Sequence, residues 1–262
     1  MVLSLPTKKQ TQTIIDAKAR LNIWEGAVRS GKTVASLFAW LDYVGSEAPA
    51  GDLLMVGKTE KTLKRNVLDV IDRMIPHKFC LRMKLGECEI YGRRIYCVGA
   101  NDERAEGKIR GLTVAGAYGD ELTLWPESFF TMMLSRLSVS GARFFGTTNP
   151  DGPYHWLKTN YLERQGLDLA RFQFSLEDNP FLDRRFVEAL KSEYVGLWYK
   201  RYIQGLWVAA EGAIYDMFDE VLHVVDELPA MRKYWTAIDY GTAAPTVFLL
   251  FGLGGGQLPL CL

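Results

Sequence analysis

Short apolar runs alternate along the chain with longer segments in which apolar residues recur every three or four positions. The short runs are typical of buried strands, and the longer segments are typical of amphipathic helices. Their alternation predicts an α/β fold with a mainly parallel sheet flanked by helices. The predicted strands cover 21–25, 52–56, 112–118 and 143–146, the predicted helices cover 10–19, 32–44, 59–74, 127–137 and, as one or two helices, 183–202, and a hairpin over 87–98 turns at Tyr91 and Gly92.

This pattern changes near Gly205. The mixed run that follows ends around Pro229 and predicts a connector between two domains. Two further strands, at 234–239 and 246–251, are then expected to begin a second sheet that stops too early to complete an independent domain. We therefore predict a first domain over 1–205, a linker over 206–230 and an incomplete second domain over 231–262.

Composition narrows the class of protein only slightly. Hydrophobic residues make up 48% of the 262 residues, which is typical of a globular chain, and the formal net charge is zero, so charge argues neither for nor against nucleic acid. The four cysteines form no CxxC pair, so we expect free thiols in a reducing compartment rather than a metal site. The sequence has no signal peptide and no long apolar segment, so we expect a cytosolic location and no association with a membrane.

The segment GAVRSGKT, residues 26–33, matches the phosphate-binding pattern GxxxxGK[ST] between a predicted strand and a predicted helix. Glycines let backbone amides approach phosphate oxygens, and the helix presents its positive end to them. Lys32 is expected to reach the β- and γ-phosphates, and the Thr33 hydroxyl to bind Mg²⁺. Arg29 is a candidate to stabilise transition-state charge, although an ordinary exposed loop arginine is the alternative. The predicted nucleotide-binding residues are Gly26, Ala27, Val28, Arg29, Ser30, Gly31, Lys32 and Thr33.

A second motif, Asp120 and Glu121, ends the apolar run LTVAGAYGDE. A buried strand that delivers an aspartate at its carboxyl end is where phosphate-loop enzymes hold Mg²⁺. The glutamate beside it is placed to activate water for attack on the γ-phosphate. Together with the phosphate loop, the pair predicts an enzyme that hydrolyses ATP with Mg²⁺.

A third motif lies in the strand RFFGTTNP, which ends in Thr147, Thr148 and Asn149, and Pro150 then takes the chain out of the sheet. Hydroxyl and amide groups at such a strand end can sense the γ-phosphate. An ordinary turn is the alternative for these residues when they are considered alone.

These three motifs in this order resemble the large terminase subunit of tailed double-stranded DNA bacteriophages. The resemblance lies in GAVRSGKT, in IRGLTVAGAYGDELTLWPESF and in RLSVSGARFFGTTNPDGPYHWL, and WTAIDYG near residue 239 extends it. It implies a phosphate-loop ATPase domain followed by an RNase H-like nuclease domain. It also implies a motor in the host cytoplasm that works with a portal protein and a small terminase subunit to move double-stranded DNA into procapsids. The subunits are expected to form a ring when docked on the portal, with a monomer as the alternative for the chain alone.

The resemblance further implies roles for individual residues. Lys32 and Thr33 match the Walker A pair, Asp120 and Glu121 match the Walker B aspartate and the catalytic glutamate, and Thr147, Thr148 and Asn149 match the coupling motif. Gln10 resembles the glutamine that reads adenine, with an exposed helix-start residue as the alternative. An arginine supplied to the neighbouring subunit is expected among Arg104, Arg110 and Arg136.

Asp239 matches the first metal-binding aspartate of the nuclease, whose other carboxylates are expected beyond residue 262, so no complete nuclease site is predicted. Two other functions remain open at this point. One is a helicase-like or other nucleic-acid-dependent ATPase, and the other is a chain that binds nucleotide but hydrolyses little.

Overall fold

The protein is described by a computed structural model that covers residues 6–82, 86–209, 230–241, 246–254 and 259–261. It divides into two units, Met1–Glu211 and Gly212–Leu262. Within the described residues, no helix combines the length and the apolar character needed to cross a membrane.

A mixed sheet forms the centre of the first unit, where the described strands are ordered β3-β4-β5-β2-β6-β7-β1-β8. The six strands from β5 to β8 in this order run parallel, and β3 and β4 are antiparallel at one edge. The carboxyl ends of the parallel strands therefore meet at one edge of the sheet. The strands are β1 (Leu21–Gly26), β2 (Asp52–Gly57), β3 (Phe79–Arg82), β4 (Glu87–Ile90), β5 (Arg93–Gly99), β6 (Val114–Gly119), β7 (Arg143–Thr148) and β8 (Leu169–Phe174).

Helices cover both faces of this sheet because alternate residues of its central strands are apolar on each side. Trp24 of β1 and Phe145 of β7 belong to one buried cluster, while Ile23 and Phe144, one position earlier in each strand, belong to the other. The helices are α1 (Lys8–Asp16), α2 (Lys32–Asp42), α3 (Glu60–Leu63), α4 (Asp69–Met74), α5 (Glu127–Arg136), α6 (Arg184–Glu193) and α7 (Gly196–Trp198), with π-helical turns at Tyr43–Glu47, Lys64–Leu68, Lys158–Leu162 and Tyr199–Gln204.

The sequence pattern predicted most of these elements, including the hairpin, whose two turn residues Tyr91 and Gly92 have φ of 52° and 78°. The helix predicted over 10–19 instead runs from 8 to 16, because Thr7 and Gln10 form a capping box at its start. Asn22 then bonds both backbone groups of Ala19, which holds the chain beyond the helix in a turn. The helix predicted over 59–74 is interrupted by a π-helical turn. Strands β3 and β8 were not predicted.

The second unit contains an antiparallel sheet of β9 (Met231–Asp239), β10 (Val247–Gly254) and β11 (Pro259–Cys261), in the order β11-β10-β9. The two predicted strands are confirmed and are longer than expected, whereas β11 was not predicted. Of the predicted linker, residues 206–209 and 230 are described, and 210–229 lie outside the described residues.

Candidate nucleotide-binding site

Three neighbouring parallel strands bring the predicted motifs to one cavity of about 360 Å³. The phosphate loop follows β1, the acidic pair follows β6, and the tip of β7 lies between them. Eight predicted residues line the cavity: Arg29, Lys32, Thr33, Asp120, Glu121, Thr147, Thr148 and Asn149. Three residues that were not predicted also line it: Val34, Asn66 and Val70.

The phosphate loop has a backbone shape that only glycine allows at its first position. Gly26 has φ of 133°, and a Cβ there would lie 1.8 Å from the Phe174 carbonyl oxygen. The Ala27 and Val28 amides donate to the carbonyls of Phe174 and Tyr202 at 2.8 and 3.1 Å.

Further along the loop, several polar groups have no hydrogen-bond partner among the described residues and could bind a ligand. Among the described residues, the amides of Arg29, Ser30 and Gly31 make no hydrogen bond to a protein acceptor, and the buried Ser30 hydroxyl also has no partner. Helix α2 begins immediately afterwards and directs its positive end at the same place. Unpaired donors at a helix start fit an anion such as a phosphate chain.

The side chain of Lys32 crosses the base of the cavity. The residue is 7% exposed, and its Nζ donates to the Ala27 carbonyl at 2.9 Å and to Asn149 Oδ1 at 2.7 Å. Burial lowers the pKa of Lys32 to about 8, although the carboxylates of Asp120 and Glu121 act in the opposite direction. The ammonium is therefore retained at neutral pH, in a position where phosphate oxygens can accept its hydrogen bonds.

Asp120 is held by one hydroxyl and one amide. Its Oδ1 accepts from Thr147 Oγ1 at 2.8 Å, and its Oδ2 accepts from Asn66 Nδ2 at 3.3 Å. Burial raises the pKa of Asp120, and the hydrogen bonds from Thr147 and Asn66, together with the charge of Lys32, oppose that rise. Thr33 lines the same cavity. A carboxylate and a hydroxyl oxygen are hard donors of the kind that Mg²⁺ prefers, so the two predicted ligands fit this ion.

Glu121 has a left-handed backbone, with φ of 55°, which is strained for a residue with a side chain. Its amide lies 3.5 Å from Thr147 Oγ1, and the preceding carbonyl, that of Asp120, accepts from Trp125 Nε1 at 3.1 Å. Burial raises the pKa of Glu121, and the neighbouring Asp120 carboxylate raises it further. Such strain, held by surrounding bonds, is common at functional sites.

Hydrogen bonds of threonine hydroxyl groups connect the tip of β7 with the acidic pair and the turn that follows it. Thr147 bonds Asp120, while Thr148 Oγ1 donates to Thr123 Oγ1 at 3.1 Å and accepts from the Thr123 amide at 3.2 Å. Thr123 Oγ1 also donates to the Asn149 carbonyl at 3.2 Å. Thr123 and Asn66 are site residues that the motifs did not indicate, because each lies in a turn or helix with no pattern of its own.

Gln10 lies against the phosphate loop and is buried, so it is not an exposed residue at a helix start. Its Oε1 accepts from the Thr7 amide at 2.8 Å, and its Nε2 donates to the Gly31 carbonyl at 3.0 Å. Arg29 has an exposed side chain and φ of 58°, and its carbonyl accepts from Asn179 Nδ2 at 2.7 Å.

The remaining predicted residues are not part of this cavity. Arg104 and Arg110 are exposed, and the Arg136 guanidinium donates to the adjacent Ser135 hydroxyl. None of the three lines the cavity. Asp239 belongs to the second unit, where it ends β9 and is paired with Val247 of β10. Among the described residues, no group of three or more His, Cys, Asp or Glu side chains is arranged to hold a metal ion.

The loop after β1, the acidic pair after β6 and the intervening strand β7 define the fold as that of a phosphate-loop nucleoside triphosphatase with strands inserted between its two motifs. The sequence profile described as terminase large subunit, T4likevirus-type, N-terminal matches residues 23–222. The chain therefore belongs to the large terminase subunit family. The comparisons give no support to the helicase-like alternative.

Solved structures agree with this family. The large terminase of a thermophilic bacteriophage in complex with ADP is 35% identical, with a TM-score of 0.72 over 95% of this chain and 66% of that chain. The same terminase in complex with ATP-gamma-S is 34% identical, with a TM-score of 0.70 over 95% and 65%. The large terminase ATPase domain of Thermus phage P74-26, at 14% identity and a TM-score of 0.60 over 77% and 94%, shows the fold alone.

The chain thus spans about two thirds of the length of the first of these terminases, 66% in its ADP complex. The search of curated proteins found no significant match.

Proposed function

We propose that this chain binds ATP and Mg²⁺ in the cavity at the carboxyl edge of its sheet and hydrolyses the nucleotide to move double-stranded DNA into a procapsid. The observation that carries this proposal is the meeting of unpaired loop amides, Lys32 and the pair Asp120 and Glu121 in one cavity. Family membership supports it, as do the ADP and ATP-gamma-S bound by the terminase that is about one third identical to this chain.

The phosphate chain would lie along the loop amides. Lys32 would then exchange its hydrogen bond to Asn149 for bonds to phosphate oxygens. Thr33 and Asp120 would hold Mg²⁺, which would supply positive charge to neutralise the phosphates. Glu121 orients a water molecule and accepts its proton, and the raised pKa of this carboxyl group suits it to a base. Arg29, at the mouth of the cavity, is proposed to stabilise the charge that develops.

Two further groups complete the proposed site. Gln10 uses one donor and one acceptor on the protein, so its amide retains a second of each for the adenine edge. Thr147, Thr148 and Asn149 are proposed to report the γ-phosphate, since Thr147 bonds the proposed Mg²⁺ ligand Asp120 and Asn149 bonds Lys32.

Comparison of the wild type with Glu121→Gln tests hydrolysis. We expect the variant to lose about 10²- to 10⁴-fold in turnover, as removal of a general base does, while its affinity for ATP-gamma-S stays within about threefold. Glu127→Gln is the matched control, because Glu127 bonds Asn160 outside the cavity. Equal turnover in wild type and Glu121→Gln would refute the role of Glu121 as the general base. A wild type without turnover would refute the proposed ATPase activity.

Double-stranded DNA, a portal protein, a small terminase subunit and a ring of identical subunits in the host cytoplasm are proposed from the family. ATP-dependent DNA uptake into portal-bearing procapsids tests the motor. For the arginine supplied between subunits, Arg104→Ala, Arg110→Ala and Arg136→Ala are each mixed with Glu121→Gln. Only the variant of the true arginine should regain turnover on mixing, because one interface then combines an intact arginine with an intact glutamate.

The second unit is proposed to belong to an RNase H-like nuclease domain, in which Asp239 is one metal ligand. We predict that this chain does not cleave plasmid DNA with Mg²⁺ or Mn²⁺. Cleavage that is lost in Asp239→Ala would contradict this prediction.

A further inference from the structure

A short stretch beyond the last helical turn of the first unit contacts both sides of the nucleotide site. We call residues 205–208 the bridge segment. Its third residue reaches the residue before the phosphate loop: Trp207 Nε1 donates to Glu25 Oε2 at 2.7 Å. Glu25 is fully buried, and its other oxygen accepts from Arg171 and Gln173 of β8 at 2.7 and 2.8 Å.

The next residue, Val208, reaches the chain that leaves the tip of β7. The Val208 amide donates to the Asp151 carbonyl at 3.2 Å. Arg201 joins the same two residues, since its Nη1 lies 2.8 Å from Asp151 Oδ1 and its Nη2 donates to the Val208 carbonyl at 2.8 Å. Asp151 is two residues beyond Asn149, which bonds Lys32.

The first residue of the bridge segment, Gly205, packs on the phosphate loop itself. Gly205 has φ of 73°, and a Cβ there would lie 2.9 Å from the Ala27 nitrogen and 3.0 Å from the Gly26 Cα. The Arg201 side chain is 13% exposed and lines, with Glu121 and Asn149, a cavity of about 230 Å³. An ion pair whose carboxylate is 45% exposed contributes little to stability because solvent screens its attraction, so its placement beside the site calls for another role.

We propose that Arg201 and Trp207 are positioning residues that hold the phosphate loop and the tip of β7 at a fixed separation through the bridge segment. Strands β1 and β7 are paired only as far as Glu25 and Thr148. Beyond that register the bridge segment donates hydrogen bonds to Glu25, the residue before the loop, and to Asp151, two residues beyond Asn149. This inference rests on the proposed ATPase, since the separation it sets is the one that the transferred phosphate spans.

The test uses Arg201→Gln, Asp151→Asn and their double variant in the full chain. The controls are Arg94→Gln and Asp52→Asn, which break another arginine–aspartate pair, one joined by two hydrogen bonds of 3.0 and 2.8 Å. Misplacement of a site by about 1 Å costs up to about 100-fold, so we expect kcat to fall about 10- to 100-fold in Arg201→Gln. The Kd of ATP-gamma-S should change by less than about threefold, and the double variant should match the single ones because the pair acts as a unit.

Hydrogen exchange provides a readout that needs no turnover. In Arg201→Gln, peptides covering the phosphate loop, 147–152 and 205–208 should all exchange faster, whereas the Arg94→Gln control should leave them unchanged. Trp207→Phe keeps the ring and removes the donor to Glu25, so it should give the same pattern if Arg201→Gln fails to fold.

The outcomes separate the two proposals. A wild type without ATPase activity refutes the proposed function, and the exchange pattern still tests the bridge segment. Faster exchange confined to 199–208, or a kcat equal to that of the controls in a variant with lowered thermal stability, would overturn the positioning role and leave a purely structural one.

Discussion

The burial of Lys32 predicts that nucleotide binding weakens as the solution becomes alkaline. The pKa of this lysine lies at about 8 in the free protein, because desolvation outweighs the attraction of Asp120 and Glu121. The ammonium is therefore present below pH 8 and is lost as the pH rises through that value. A bound phosphate chain favours the ammonium, so binding above pH 8 requires proton uptake.

The magnitude follows from this pKa. For a group with a pKa of about 8, the protonated fraction falls about tenfold between pH 7 and pH 9. The Kd of ATP-gamma-S should rise by about the same factor, which corresponds to about 1.4 kcal/mol. The terminal phosphate itself changes little over this range, since its last ionisation has a pKa of about 6.

Titration calorimetry with ATP-gamma-S at fixed free Mg²⁺ measures the effect, and its dependence on buffer ionisation heat reports the proton uptake. In Lys32→Arg the guanidinium stays charged, so the pH dependence should disappear even if binding is weaker. In Glu121→Gln one carboxylate that raises the lysine pKa is lost, so the inflection should move to lower pH. A constant Kd between pH 7 and pH 9 in the wild type would refute this reasoning.

Other predictions concern single side chains. Asp120→Asn should leave the affinity for ATP-gamma-S without Mg²⁺ unchanged and should abolish the added affinity that Mg²⁺ gives. Both affinities are measured in the same calorimeter. Gly205→Ala should lower the free energy of unfolding by at least about 1–2 kcal/mol in urea, the cost of a left-handed backbone alone, because its Cβ also meets the phosphate loop. Tyr43→Phe should cost about 1–3 kcal/mol, since the buried hydroxyl that donates to the Ala115 carbonyl at 2.6 Å is lost.

The strands and the three motifs could be predicted because their signals are local. A fully buried strand such as Val114–Gly119 is a continuous apolar run, and the polar pair that follows it marks the carboxyl edge of a parallel sheet. Once parallel strands are assumed, the motifs that follow β1, β6 and β7 must meet at one edge. The order of the strands in the sheet is not needed for that step, so the site can be predicted from the sequence although the sheet topology cannot.

Residues that hold the motifs in place had no such signal. Strand β8 was missed because its burial is only partial, so Arg171 and Gln173 interrupt the apolar pattern. Their purpose becomes visible only in space, where both donate to Glu25. Trp207 lies 182 positions from that carboxylate along the chain. Nothing in the composition of LNIWEG indicates that its glutamate is fully buried rather than exposed.

Two energetically costly features meet in the same cavity, and neither serves folding. Lowering the pKa of Lys32 from 10.5 to about 8 means that burying its ammonium below pH 8 costs about 3 kcal/mol. Glu121 adds a left-handed backbone to this cost. A core designed only for stability would place an apolar side chain at the position of Lys32 and a glycine at the position of Glu121. The surrounding hydroxyl and amide bonds of Thr147, Asn149 and Asn66 hold both features in position, so the site is ordered before a ligand arrives and the charge of an incoming phosphate chain meets donors that need little rearrangement.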